Sequence, residues 1–353
     1  MAPHPRPRPR RDLRPALCAL ALGLGAFVGW VTEPVATATP AAREPPSAAA
    51  TSVSVATVAN RAPRPEPSDE PSDATVSVPV AGPFGEGLAG GKVITGHTPH
   101  RLILFTFDDG PDDRNTPRLL RLLDARGIKA VFFLTAGRLR GDGPRARRRR
   151  EIARDILLRG HTVGNHTIDH VQLPLLLDVE VEQQVRGADE VFEKVLGRRT
   201  WLIRPPGGAR SARTDRLLAG WGYGQVLWNL GTGDAAVRTG EEAYDVFRRM
   251  LRRRRIEFGD EGGIVLLHDI HEWSVDAFVL IHRYLERRNC QLLAKGEELF
   301  DIVDDPGLFF APREGADPTA EAPAAVLTPA ALEARQRRLR ARTRARCAEG
   351  RRG

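Results

Sequence analysis

The stretch Leu102-Ile-Leu-Phe-Thr-Phe-Asp-Asp-Gly-Pro111 decides the fold of this chain of 353 residues. Its first six residues are almost entirely apolar, which predicts a buried strand, and the Gly-Pro pair that closes it is typical of a turn. Two carboxylates, Asp108 and Asp109, therefore lie at the end of a strand. Neighbouring side chains at a strand end point in different directions, so one acid can face a metal ion while the other faces a substrate.

Two histidines, His166 and His170, follow about sixty residues later. A carboxylate and two imidazoles suffice to bind a catalytic ion of the zinc type and leave one position open for water. The remaining carboxylate is then free to act as a base on that water. A spacing of four residues on a helical turn would bring both imidazoles to one side.

The region from residue 101 onward alternates between apolar runs and amphipathic stretches, which predicts a parallel sheet with helices outside it. We predict strands at 102–107, 130–134, 162–163, 201–203, 223–228, 264–267 and 291–293. We predict helices at 116–125, 179–196, 214–219, 241–255, 274–287 and 297–303. About seven such units, without a Gly-x-Gly-x-x-Gly motif after the first strand, indicate an α/β fold with a distorted or open (β/α) barrel. Catalytic residues of such barrels gather at the carboxyl ends of the strands.

The ends of the chain have a different composition. Arginines precede an apolar run at 15–31 and a small-x-small pattern at Ala36-Thr-Ala38, which is typical of a secretory signal peptide, with an uncleaved signal anchor as the alternative. Either interpretation predicts export, to a secreted, periplasmic or membrane-anchored location at the cell envelope. The predicted division is a signal peptide or anchor at 1–38, a Pro/Ala-rich disordered linker at 39–99, one globular domain at 100–310, and a basic Ala/Arg-rich tail at 311–353.

Charge and cysteine content narrow the function classes. The formal charge of +8 comes from arginine clusters, which are either solvated helix faces or a surface that attracts an anionic envelope polymer. Export and the lack of a recognisable motif argue against nucleic-acid binding, and no protein partner is evident. Apart from Cys18 in the N-terminal apolar run, the cysteines are Cys290 and Cys347, which could form a bridge in an oxidising compartment, although nothing in the sequence requires it.

The Asp-Asp-Gly-Pro motif followed by His-x-x-x-His resembles the polysaccharide deacetylases of carbohydrate esterase family 4, the NodB-homology domain. The resemblance covers roughly residues 100–305. It implies that Asp109, His166 and His170 bind a divalent metal, most often zinc, with cobalt or nickel as alternatives. It also implies that Asp108 is the general base.

Arg204-Pro-Pro-Gly-Gly208 matches the third motif of that family. The resemblance implies that Arg204 holds the base and that Pro206 and Gly207 border the substrate. Family members commonly carry an aromatic residue, usually Tyr, where this chain has Gly207. A glycine keeps the backbone N–H that helps to hold the oxyanion, but the lost ring would widen the groove.

The last two motifs follow at 228–235 and 264–269. The resemblance implies that His268 is the general acid, that Asp234 orients it and tunes its pKa, and that Leu266 walls the acetyl pocket. Trp228 either borders the substrate or fills the core. Two family residues are replaced: Asn229 stands for an acid, and Ala235 stands for a tryptophan that walls the site.

The resemblance implies a metal-dependent amide hydrolase that removes acetyl groups from an N-acetylated polysaccharide, such as an N-acetylglucosamine glycan of the cell wall, and releases acetate. Two alternatives stay open. One is an O-acetyl esterase that acts on acetylated xylan or another polymer with the same site. The other is an inactive glycan-binding module, suggested by the replacements at Gly207, Asn229 and Ala235.

Overall fold

The structure is a computed structural model that describes residues 84–85, 91, 93–309 and 327–349, without the side chain of the last residue. The predicted signal peptide or anchor at 1–38 lies outside the described residues, as does most of the predicted linker. Among the helices of the described part, none is long and apolar enough to cross a membrane.

In the described part of the chain, nine parallel strands form a single sheet. They are β1 (Val93–Ile94), β2 (Leu102–Asp108), β3 (Val131–Leu134), β4 (Thr162–Asn165), β5 (Leu202–Ile203), β6 (Gly224–Val226), β7 (Leu230–Gly231), β8 (Gly263–His268) and β9 (Asp301–Val303). The order is β1-β6-β5-β4-β3-β2-β8-β7, and β9 pairs with the first residues of β2. Within the described residues β1 and β7 each pair on one side, so the barrel is open. This confirms the predicted fold class.

Seven α-helices accompany the sheet within the residues that the structure describes. They are α1 (Asn115–Asp124), α2 (Pro144–Leu158), α3 (Asp178–Leu196), α4 (Ala212–Gly220), α5 (Gly240–Phe258), α6 (Glu272–Lys295) and α7 (Pro329–Glu349). The strand β2 lies in the middle of the sheet, and all seven of its residues are buried. Side chains on its two faces join two apolar clusters, with Phe105 and Phe107 on the face covered by the Phe278 ring of α6. The deciding stretch is therefore the central strand of the fold.

Two predicted elements near residue 295 are wrong. The predicted strand at 291–293 forms the end of α6, and the predicted helix at 297–303 contains the strand β9. Leu292 is buried on the same helix as Ile281 and Leu285, so the apolar residues continue a helical stripe. Asn289 then binds the backbone N–H and the carbonyl of Phe300, which directs the chain back toward the sheet.

The two predicted boundaries of the globular domain also differ from the structure. Strand β1 precedes residue 100 and pairs with β6, so part of the predicted linker belongs to the sheet. The predicted tail contains α7, which packs on α6 and β9. The side-chain amide of Gln336 in α7 accepts from the Leu299 N–H and donates to the Leu299 carbonyl. A disulfide also joins Cys290 to Cys347. The basic tail therefore contributes a helix to the domain.

Candidate active site

Asp108 and Asp109 occupy the carboxyl end of β2, as the sequence predicts. Asp108 is the last strand residue, and Asp109 has a positive φ of 70°, which turns its side chain away from that of Asp108. Such a backbone is unusual for a residue other than glycine and is often found at functional sites. The next residue, Gly110, passes against the buried carboxylate of Asp269 and leaves no room for a Cβ atom. Glycine is therefore required for this turn.

The side chains of Asp109, His166 and His170 converge as a candidate metal site. The Nε2 atoms of His166 and His170 lie 3.4 and 3.3 Å from Oδ1 of Asp109. The ligand atoms of the three residues all lie within 4.8 Å of one another. His166 directly follows β4, and His170 has a φ of 58° in a loop. The two histidines lie in a loop after the strand and not on a helical turn, and their rings still lie on one side with centroids 4.9 Å apart.

The hydrogen bonds and charges of this cluster fit a divalent cation. Nδ1 of His166 bonds to the carbonyl oxygen of Arg204 at 2.7 Å, so its Nε2 can present a lone pair. Within the described residues, Oδ1 of Asp109 is buried without a hydrogen-bond partner. Burial opposes the charged form of Asp109, but His166, His170 and His268 outweigh it and lower its pKa to about 2. Burial also lowers the pKa of His170, which favours the neutral imidazole that metals require.

Arg204 holds Asp108 at the position predicted for a base. Its Nη1 donates to Asp108 Oδ1 at 2.7 Å and to the Thr106 hydroxyl at 2.8 Å. The guanidinium is completely buried and lies 4.2 Å from the centroid of the Phe133 ring. It also donates to two backbone carbonyls at the end of β6. With each face and edge of the guanidinium restrained, the Asp108 carboxylate has a fixed direction.

The segment Pro206–Gly208 forms a short 3-10 turn after β5. Gly207 is exposed and has a φ of 65°, so a larger residue here would be strained, and a Cβ atom would lie 3.4 Å from the amide nitrogen of Gln172. Pro206 is buried. Trp228 is half-buried, borders Gly208 and lies with its ring 5.4 Å from the Arg204 guanidinium. Trp228 thus supports the turn and packs on the core.

His268 and Asp234 form a pair at the carboxyl ends of β8 and β7, which follow β2 in the sheet on the side away from β3 and β4. Nδ1 of His268 lies 2.9 Å from Asp234 Oδ1, and its backbone N–H donates to Oδ2 of the same carboxylate at 2.7 Å. Burial disfavours the charged imidazole, but the hydrogen bond and charge of Asp234, with smaller contributions from Asp108 and Asp109, raise the pKa of His268 to about 9. The ring is therefore protonated at neutral pH. Leu266, two residues earlier on β8, is buried.

Several supporting residues escape sequence reasoning. The Ser274 hydroxyl donates to Asp234 Oδ2 at 2.6 Å, and the Trp273 indole donates to the Asp234 carbonyl at 2.7 Å. The Asn165 side chain accepts from the Thr167 N–H at 2.7 Å and so shapes the histidine loop. Ser274 and Trp273 begin a helix after a strand, and only the fold brings them to Asp234.

The two replaced family residues have different surroundings. Asn229 is buried, accepts from the Ile264 N–H at 2.9 Å and donates to the carbonyl of Gly262 at 3.1 Å. It therefore links β7 to the start of β8, away from the carboxyl end of that strand. Ala235 is exposed beside Asp234. The replacement of a carboxylate by Asn229 thus affects a structural position. The replacement of a ring by Ala235 instead lies next to Asp234, the partner of the candidate general acid His268.

Comparison with known proteins identifies the family of this chain. The family model for polysaccharide deacetylase matches residues 95–226. A peptidoglycan-N-acetylglucosamine deacetylase of Bacillus cereus is 30% identical over 169 residues, which cover 48% of this chain and 73% of the relative. A chitooligosaccharide deacetylase of Azorhizobium caulinodans is 32% identical over 168 residues, which cover 47% and 73%. The chain therefore belongs to the polysaccharide deacetylases of carbohydrate esterase family 4, with a NodB-homology domain.

Longer relatives match over a smaller share of their length. The peptidoglycan-N-acetylmuramic acid deacetylase PdaC of Bacillus subtilis is 29% identical over 193 residues, which cover 55% of this chain and 38% of PdaC. A solved structure of that deacetylase is 28% identical, covers 54% of this chain and 86% of the solved chain, and has a TM-score of 0.45.

Proposed function

We propose that this protein is a metal-dependent deacetylase that hydrolyses the acetamide of N-acetylglucosamine units in a cell-wall glycan and releases acetate and a free amine. One observation carries the proposal: a restrained carboxylate, a candidate cation site and a histidine with a raised pKa lie together at the carboxyl ends of β2, β4, β5, β7 and β8. Amide hydrolysis needs all three, because water must be activated, the carbonyl polarised and the nitrogen protonated before it leaves.

The cation would be held by Asp109, His166 and His170, and zinc is the expected ion for one carboxylate and two imidazoles, with cobalt or nickel as alternatives. When bound, it supplies Lewis-acid polarisation of the acetyl carbonyl and lowers the pKa of a water molecule. Asp108, held by Arg204 at 2.7 Å, accepts the proton from the attacking water. The restrained pair keeps this carboxylate from turning away from the water.

The remaining steps use the other residues of the site. Gly207 is an exposed residue, and its backbone N–H can donate to the oxyanion that develops on the acetyl group. His268 donates a proton to the departing nitrogen, and its hydrogen bond to Asp234 at 2.9 Å keeps the ring oriented and charged. Pro206 and Leu266 would border the acetyl group, and Trp228 supports that wall from the core side.

Location and polymer contact form a further part of the proposal. We place the enzyme outside the cytoplasmic membrane, where a wall glycan is available. A cavity of about 390 Å³ at the amino ends of the strands is lined by arginines of α5 and α6 and the arginine that precedes β2, together with Asp245 and Glu261. The arginines in its wall are Arg101, Arg248, Arg249, Arg252, Arg255 and Arg288. This surplus of positive charge would attract an anionic envelope polymer without blocking the site.

The test is acetate release from a panel of chitin oligomers, chitin, cell-wall glycan and acetylated xylan, before and after chelation and with zinc or cobalt added back. We expect release from N-acetylated glycans, loss on chelation and recovery with metal. Release from acetylated xylan alone would instead identify an O-acetyl esterase. Glycan binding without acetate release by the metal-loaded protein would identify an inactive binding module. Full activity in a sample shown by elemental analysis to contain no metal would contradict the mechanism.

A further inference from the structure

Two aromatic rings lie beside the candidate acid and have no role in the steps above. His271 and Trp273 stack in parallel, with ring centroids 4.5 Å apart and an interplanar angle of 11°. Both side chains are half-buried, so part of each ring is open to solvent. The His271 ring centroid lies 6.4 Å from that of His268. The stack therefore borders the group that protonates the leaving nitrogen.

The position of the stack is fixed by the fold. Trp273 is the second residue of α6, and its indole donates to the carbonyl of Asp234 at 2.7 Å. The Arg238 guanidinium lies 5.4 Å from the indole centroid. The backbone N–H of His271 donates to the His268 carbonyl at 3.2 Å. These contacts tie both rings to the same backbone that carries the acid and its carboxylate partner, so their distance to the reacting centre is set before any ligand arrives.

We propose that the stack of His271 and Trp273 is a sugar-binding wall, which packs against the pyranose ring next to the acetamide that is hydrolysed. The proposal rests on the proposed function, because it names how that site holds its glycan. Pyranose rings expose apolar C–H faces that pack on flat aromatic surfaces, and preorganised rings bind at a small entropic cost. Ala235, which follows Asp234, offers only a methyl group, and Gly207 has no side chain, so neither residue supplies a ring that could hold the sugar in place of this stack.

The test measures binding without turnover. The parent is Asp108→Asn protein with zinc, and the ligand is the tetramer of N-acetylglucosamine, measured by calorimetry. Trp273→Ala in this parent should raise the Kd about three- to tenfold, the range for loss of one aromatic contact. Trp273→Phe keeps a ring but loses the indole N–H, so its Kd should stay within about twofold of the parent.

Trp201→Ala is the matched control. Trp201 is also half-buried and also lies near an arginine, with the Arg199 guanidinium 4.2 Å from its ring centroid, but it directly precedes β5 and so lies at the amino end of that strand, whereas the site lies at the carboxyl ends. Its removal should leave the Kd unchanged. In protein with an intact base, Trp273→Ala should raise KM for the tetramer more than it lowers kcat, and the pH profile of kcat should keep its alkaline limb.

Two results would contradict the proposed sugar-binding wall. If Trp273→Ala binds the tetramer as tightly as the parent, the ring does not contact sugar. If Trp273→Phe and Trp273→Ala lose affinity equally and both shift the alkaline limb, the indole acts only through its bond to Asp234 and is a positioning residue. A parent that binds no N-acetylglucosamine tetramer while Trp273 is intact would overturn the proposed function as well. The three outcomes are distinguishable.

Discussion

The two halves of the candidate site are built in different ways. The metal-and-base half lies at the ends of β2, β4 and β5 and consists of Asp108, Asp109, His166, His170 and Arg204. The acid half lies at the ends of β7 and β8 and at the start of α6. The family model covers residues 95–226 and so contains the first half and ends before the second.

Backbone geometry brings two metal-ligand candidates of the first half into place, whereas side-chain bonds orient the acid of the second half. Asp109 and His170 reach the cluster through positive φ angles of 70° and 58°. In contrast, His268 ends a regular strand, and its orientation depends on Asp234, which is in turn held by Ser274 of α6 at 2.6 Å. The residues of the first half therefore follow from short sequence motifs, whereas the position of the acid in the second half depends on how α6 packs against the sheet. Predictions for each half can therefore separate metal binding from proton donation.

The largest effect is expected at the metal ligands. Asp109→Asn weakens the only carboxylate donor of the three-residue cluster found among the described residues, and His170→Gln removes an imidazole. Both variants should lose bound metal, and because metal activation is worth several kcal/mol, activity should fall by about a thousandfold or more. Elemental analysis and acetate release measure the two effects. His100→Gln, near the amino end of β2, is the control and should retain both metal and activity.

A smaller loss is expected for the base. Asp108→Asn keeps the shape of the side chain but can no longer accept a proton, so kcat should fall by about 10²–10⁴-fold, while the metal content stays at the wild-type level. The same two measurements apply. If Asp108→Asn lost its metal while Asp109→Asn kept it, the roles of the two acids would be reversed.

A shift in pH dependence, rather than a loss of metal, is expected for the acid half. His268 must be protonated to act, and its pKa is raised to about 9, so kcat of the wild type should fall as the pH rises through about 9. Burial lowers this pKa and the Asp234 carboxylate raises it, so Asp234→Asn should move the alkaline limb to lower pH. A kcat profile at saturating substrate measures this. Asp245→Asn, an exposed residue of α5, should leave the limb in place.

Prediction from sequence was most successful where chemistry and a strand end coincide. The Asp-Asp and His-x-x-x-His motifs each follow an apolar run, and carboxyl ends of parallel strands meet at one edge, so the cluster could be predicted without the structure. The loop path to His170 could not, because its positive φ depends on contacts such as Thr167 with Asn165.

Residues that act through contacts with distant parts of the chain cannot be predicted from the sequence. Asp269 follows His268 in the sequence, but its side chain is fully buried, accepts from the Thr116 hydroxyl and presses against Gly110 beside the Asp pair. Burial raises the pKa of Asp269 to about 7, with Thr116 opposing the shift. No local pattern reveals such contacts, since Asp269 and Thr116 are far apart in sequence. The same holds for Asn289, whose side chain joins α6 to the backbone of Phe300 just before β9.

The smallest effect on catalysis is expected at the far end of the helix that supports the acid half. Cys290 lies in the last turns of α6 and is joined to Cys347 of α7, with Cα atoms 5.9 Å apart and a separation of 57 in sequence. Replacing both by Ser should lower the free energy of unfolding by about 2–4 kcal/mol, because the bridge restricts the unfolded chain. Trp273 and Ser274 begin the same helix about 25 Å away at a rise of 1.5 Å per residue. The acid should therefore keep its geometry, with kcat and the alkaline limb unchanged while denaturant melting shifts.

The single variants Cys290→Ser and Cys347→Ser should each show the full loss of stability. A kcat change in the double variant at a temperature where it is fully folded would mean that α7 controls the acid half through α6, and that the two halves of the site differ in allosteric coupling as well as in construction.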